Sequence, residues 1–216
     1  MFSIDDFKKY NTEEPIKNIF IINNFLTDLE LKLITEYIDT LSQNDWEKEY
    51  YESVKLFCLE KFGTDDVEEL IKQKKFEITQ NWNDKNVSLY TTESMKQVAG
   101  NLTLRMFELL TNYPEYVPKG PGAIQRQYTG VPLTAHFDQY TDQSISHAAI
   151  IYINDDYTDG ELYFPNKDFK IKPKPKSLVI FPGTEEYMHG VYAPGEGPTR
   201  YVLPGFIGKK DFYANK

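Results

Sequence analysis

"KPKSLVIFPGTEEYMHGVYAPGEGPTRYVLPGFI", residues 174–207, packs several strand-like runs into one short stretch. "SLVIFPG", "EYMHGVY" and "RYVLPGFI" are rich in β-branched and aromatic residues, and the cluster "APGEGP" punctuates them as a turn. The same texture begins after the Pro/Gly-rich loop "YPEYVPKGPG" (113–122). "AIQRQY", "SHAAIIYIN", "ELYF" and "FKIK" alternate there with "NDDYTDG", "PNKD" and "PKPK". Many short strands at this spacing predict an all-β sandwich or barrel over residues 120–208.

Towards the N-terminus the pattern changes. "IKNIFIINNF" (16–25) reads as a strand, and Thr27 followed by Glu30 forms a capping box that opens a helix. Leu33, Ile34, Tyr37, Ile38 and Leu41 recur at helical spacing behind it. Residues 44–75 are acidic and lysine-rich and read as one or two amphipathic helices, the second capped near Thr64. A further helix is expected over 94–110, with Met95, Val98, Leu102, Met106 and Phe107 on its apolar face. The fold class is thus α+β with a mainly β core: a helical support region (1–119) buttressing a β core (120–208). No linker divides the 216 residues into separate domains.

Composition excludes several classes of function. A net charge of −9 and a pI near 4.9 disfavour a polyanion partner, and no basic stripe is visible, so no nucleic-acid partner is expected. No apolar run reaches membrane-spanning length, and "MFSIDDFKKY" lacks the layout of a signal peptide. Cys58 is the only cysteine. A reducing, cytoplasmic setting with no membrane partner is expected. Of the 24 Lys and Arg, only Arg105, Arg126 and Arg200 are arginine, which marks each as a place where the planar guanidinium fork has a use.

Chemistry enters with "TAHFD" (134–138). On an extended strand His136 and Asp138 share a face, so an imidazole and a carboxylate converge. Alone, that pair is a weak signal and reads first as a strand end with two unrelated polar groups. His189, on a different strand, adds a second imidazole. Two histidines and one carboxylate make the donor set of a facial triad, which leaves positions open on an Fe(II) ion. Arg200, opening the strand after His189, is suited to hold a carboxylate bidentately inside a barrel.

With these residues in this order, the chain resembles the Fe(II)- and 2-oxoglutarate-dependent oxygenases, and among them the prolyl 4-hydroxylase-like group. "IFIINNFLTDLELKLI", "QRQYTGVPLTAHFD", "AAIIYINDDYTDGELYFP" and the stretch 174–207 each look like a segment of that group. Coverage is good over 120–208, fair over 16–41 and absent over 44–110. The resemblance implies a distorted double-stranded β-helix, or jelly roll. It implies Fe(II) on His136, Asp138 and His189, with 2-oxoglutarate and O2 as cosubstrates and ascorbate as a supporting reductant. The far carboxylate of 2-oxoglutarate would sit on Arg200, with Tyr152 and Tyr128 as candidate donors, each of which could instead be a barrel-filling tyrosine. No catalytic residue beyond the metal ligands is implied.

This sequence departs from the group in places. Arg200 stands where the collagen-type branch has lysine, Leu133 where many members have tyrosine, and Tyr128 is one position closer to the following glycine than usual. Asp138 argues against the halogenating variants, in which a small residue makes room for a halide.

The expected reaction is hydroxylation of a C–H bond, in a prolyl residue of a peptide or protein. The alternatives are a free amino acid or other small metabolite as substrate, and a non-catalytic jelly-roll binding module. Tyr140 and Tyr163 are expected near strand ends where a groove would open, bordered also by 44–110 and the loop 138–146. Arg126 reads either as a substrate contact at the mouth or as one half of a surface ion pair. His147, out of phase with Tyr152, is expected to point away from the cavity.

Overall fold

Alternation along two neighbouring strands sets the architecture. In the computed structural model, which describes residues 2–73, 75, 85–210 and 212, Ile145–Tyr152 pairs antiparallel with Leu178–Pro182. Ala149, Ile151, Leu178 and Ile180 face one hydrophobic cluster, while Ala148, Tyr152, Val179 and Phe181 face another. Both faces are therefore buried, so these segments read as continuous apolar runs. Each fully buried aliphatic side chain of this kind contributes about 1.5–3 kcal/mol.

The strands are β1 (Asn11–Ile16), β2 (Ile19–Asn23), β3 (Lys85–Ser88), β4 (Tyr116–Lys119), β5 (Ala123–Gln127), β6 (Leu133–His136), β7 (Ile145–Tyr152), β8 (Leu162–Phe164), β9 (Phe169–Ile171), β10 (Leu178–Pro182), β11 (His189–Val191), β12 (Arg200–Leu203) and β13 (Phe206–Lys209). The larger sheet runs β1-β2-β10-β7-β12-β5-β3, with β13 and β4 continuing it beside β7. The smaller runs β6-β11-β8-β9. All pairings are antiparallel. Strands β5 to β12 divide between two sheets that face each other across the second cluster, with β5, β7, β10 and β12 in the larger and β6, β8, β9 and β11 in the smaller, which makes a double-stranded β-helix.

The other face of the larger sheet is covered by helices α1 (Asp28–Thr40), α2 (Gln43–Phe62) and α4 (Glu93–Leu109), and α3 (Val67–Lys72) packs on α2. Thr27 and Glu30 form the expected capping box on α1. Glu30 is also buried and receives the Arg105 guanidinium at 2.7 Å on both oxygens, which ties α1 to α4. Burial alone would raise the Glu30 pKa, but Arg105 and the Thr27 cap outweigh it and hold the carboxyl below its usual range.

Several local expectations are corrected. The segment 16–25 is not one strand: Asn18, at φ 64°, turns the chain between β1 and β2. "RYVLPGFI" splits at Pro204 and Gly205 into β12 and β13, which lie end to end along β7. Asp66, not Thr64, caps α3 by accepting from the Glu69 amide. Phe107 is 49% exposed, and α4 buries Ala99 and Leu109 instead. The N-terminal half also contributes more than helices, because β1–β4 all join the larger sheet. Residues 76–84, within the span 44–110 expected to border a groove, lie outside the described residues.

Candidate active site

His136 ends β6 and His189 opens β11, and the two are direct partners across the smaller sheet. Their rings stand 4.6 Å apart between centroids. Asp138 follows on a 3-10 turn, anchored where the Gln139 amide donates to the Gly183 carbonyl. One donor atom each from His136, Asp138 and His189 lies within 4.8 Å of the others.

The ring nitrogens are differentiated by the backbone. His136 Nδ1 is 2.8 Å from the Thr134 carbonyl, and His189 Nδ1 is 3.2 Å from that of Tyr187. A carbonyl only accepts, so Nδ1 carries the proton in both rings and each Nε2 offers a lone pair. Phe181 packs edge-on against the His189 ring at 4.5 Å and fixes its plane. Gly190 is required at the next position, since a Cβ there would come within 2.6 Å of the Tyr163 hydroxyl and 2.7 Å of the Leu133 carbonyl.

Electrostatics make the cluster a poor home for charge by itself. Burial pushes Asp138 up to about 6, opposed by the His136 charge, and burial together with His136 pushes His189 down to about 3. Asp138 Oδ2 is buried with no hydrogen-bond partner among the described residues. An orphaned carboxylate oxygen beside two imidazoles fits a divalent cation, which would satisfy all three and favour the ionised carboxylate. The donor set therefore suits Fe(II).

A cavity of about 280 Å³ opens over the cluster. Arg200 projects into it from β12, and its Nη1 donates to Gln127 Oε1 at 3.1 Å. Tyr152 is fully buried, with its ring 5.3 Å from the Arg200 guanidinium. The rest of the lining is Gln125 and apolar side chains, including Leu133, Ile150, Leu162, Val202, Pro204 and Phe206.

Other expected residues go elsewhere. Strand β5 turns Gln125 towards the cavity and Gln127 towards Arg200, which puts Arg126 and Tyr128 on the opposite face. Arg126 stacks on Trp46 at 4.4 Å and on Tyr128 at 4.8 Å, and donates to Gln43 at 3.1 Å. Neither Arg126 nor Tyr128 is brought to the cavity. The phase was readable from Ile124, a core residue that fixes the even-numbered positions as helix-facing. Tyr163 points to the outer face of the smaller sheet and stacks on Tyr192 at 4.3 Å, because its neighbours Leu162 and Phe164 take the inner face. Tyr140 is 81% exposed on the turn that carries Asp138. His147 points away from the cavity, as expected, against Phe2 and Tyr116.

Residues 123–208 match the family model described as the 2OG-Fe(II) oxygenase superfamily. Over that stretch the chain is similar to that superfamily. Its members use Fe(II), 2-oxoglutarate and O2, and the His136/Asp138/His189 cluster lies inside the matched segment. Among solved structures, the chain is similar to the viral collagen prolyl hydroxylase of Paramecium Bursaria Chlorella virus-1 in its 2OG complex. The two share 14% identity at a TM-score of 0.60, covering 89% of this chain and 96% of that one. A Pseudomonas putida prolyl-4-hydroxylase matches at 13% identity and TM-score 0.56, covering 96% and 97%. A Trichoplax adhaerens prolyl hydroxylase, in complex with a hypoxia inducible factor peptide fragment, matches at 14% and 0.60, covering 94% and 89%. At these identities the likenesses establish the fold alone. No curated protein sequence matches the chain significantly.

Proposed function

We propose that this chain is a dioxygenase that hydroxylates a prolyl residue within a peptide or protein. His136, Asp138 and His189 hold Fe(II), and Arg200 with Tyr152 anchors the far carboxylate of 2-oxoglutarate. When bound, this pair with O2 supplies oxidative decarboxylation of the cosubstrate coupled to hydroxylation of a C–H bond. The protein's own part is positioning and shielding. Gln127 aims the guanidinium, Phe181 fixes His189, and the apolar wall keeps water from the reacting bond.

The observation that carries the substrate reading is the cavity lining. Once Asp138 and Arg200 are committed to metal and cosubstrate, no charged side chain remains in the described lining. A free amino acid would bring an ammonium and a carboxylate into an apolar space without partners. A prolyl ring within a chain brings neither, and Leu133, Ile150, Pro204 and Phe206 suit its rigid apolar face. Tyr140, exposed on the Asp138 turn, is the aromatic placed to meet such a chain from outside. The three prolyl hydroxylases of the same fold support this reading.

The test is succinate formation with Fe(II), 2-oxoglutarate and ascorbate, comparing proline-rich peptides with free proline and other amino acids. Mass spectrometry should show a one-oxygen gain on a peptide prolyl residue. Turnover stimulated only by a free metabolite overturns the substrate. Loss of neither metal binding nor turnover in His189→Ala overturns the chemistry.

A further inference from the structure

Three buried polar atoms around Arg200 make no well-formed hydrogen bond among the described residues: Arg200 Nε, Tyr152 Oη and Tyr157 Oη. Buried polar groups are almost always satisfied, so three orphans at one point call for a common partner. Tyr157, in the loop after β7, is only 3% exposed. Both phenols feel the Arg200 charge and lie within hydrogen-bond reach of its guanidinium, and Tyr152 is felt at Tyr157, so the three groups are mutual neighbours and what stays open on each phenol is its donor.

The surroundings hold this cluster in place. Lys172 lies over the Tyr157 ring at 4.2 Å and donates to its backbone carbonyl. Gln127 donates Nε2 to the Val131 carbonyl at 2.7 Å, which leaves its Oε1 to receive Arg200. Arg200 has no acceptor to offer. Burial raises both phenols, Tyr157 to about 12, so they stay protonated as hydrogen-bond donors. What the cluster lacks is an anion with acceptor-only oxygens, and a carboxylate is that group.

We infer that Tyr157 is a specificity-determining residue, donating its hydroxyl with Arg200 and Tyr152 to the far carboxylate of the bound 2-oxo acid. The inference rests on the oxygenase reading above and deepens it. The Tyr157 hydroxyl adds a third donor to the grip of Arg200 and Tyr152 on that carboxylate.

Calorimetry on anoxic, Mn(II)-loaded protein tests this with two probes. 2-Oxoglutarate reaches the Arg200 end, whereas oxalate can chelate the metal but has no distal carboxylate. Tyr157→Phe should weaken 2-oxoglutarate about tenfold, the value of one hydrogen bond to a charged group. It should leave oxalate affinity and the ligand-free melting temperature unchanged. Unchanged 2-oxoglutarate affinity overturns the inference. So does an equal loss for both probes with a lowered melting temperature, which would make Tyr157 a packing residue. Failure of the wild-type protein to bind 2-oxoglutarate overturns the oxygenase reading itself, and this inference with it.

Discussion

Each of the three arginines is placed at a specific contact. Arg105 Nη2 bridges both oxygens of Glu30, Arg126 sits between the Trp46 and Tyr128 rings, and Arg200 faces the cavity with Gln127 at its back. A lysine reproduces the charge of such a residue but not the fork. Replacing Arg200 by alanine should therefore raise the 2-oxoglutarate requirement about a hundredfold, as expected when one partner of a buried charge pair is truncated. Lysine should recover part of that loss. Metal affinity should be unchanged in both variants, because Arg200 lies on β12 while the metal donors lie on β6, its following turn and β11. Titration of Mn(II) alongside 2-oxoglutarate checks both statements, and an equal loss of metal binding would make Arg200 a structural residue.

At the scale of elements, the capping box of α1 was legible as Thr27 and Glu30, but the tie to α4 was not. Nothing in local spacing says that Glu30 is buried or that Arg105 reaches it across two helices. Removing the guanidinium leaves a largely buried carboxylate with only the Thr27 cap. Arg105→Met should thus destabilise the fold by about 2 kcal/mol, below the 3–5 kcal/mol for a fully buried pair since the Arg105 side chain keeps 20% of its exposure. The double variant Glu30→Met/Arg105→Met should cost less than the sum of the single changes. Urea unfolding of the four proteins measures this, and a cost under about 0.5 kcal/mol for Arg105→Met would show the tie to be slack. The strand elements tell a similar story. Their existence followed from composition, whereas the break between β12 and β13 depends on where Pro204 and Gly205 meet the backbone of β7, with Gly205 accepting from the Ala149 amide at 2.8 Å.

For the whole molecule, stability should depend on pH through His147. Burial holds its pKa down to about 4, against about 6.5 in an unfolded chain. Between those values the unfolded chain binds the proton and the folded chain does not, so stability is complete above pH 6.5 and falls as pH drops towards 4. The full effect is on the order of 3 kcal/mol. In metal-free protein His189 acts in the same direction, and Asp138 with its raised pKa acts oppositely. His147→Phe keeps the ring packing and removes the proton, so its loss of stability from pH 7 to 4.5 should be smaller than that of the wild type by about 2 kcal/mol. Parallel losses would mean that His147 titrates normally. Sequence alone determined the β-rich C-terminal core, the opening capping box, the phase of His147 against Tyr152, and the order His136, Asp138, His189, Arg200. These follow from composition and from period-two spacing along single strands, which are local. Only the tertiary structure decided that β1–β4 join the larger sheet, that β5 turns Gln125 and Gln127 inward in place of Tyr128 and Arg126, and that Tyr157 comes to Arg200. Those outcomes depend on pairing register and loop paths between distant segments, where a one-residue shift exchanges the faces of a strand.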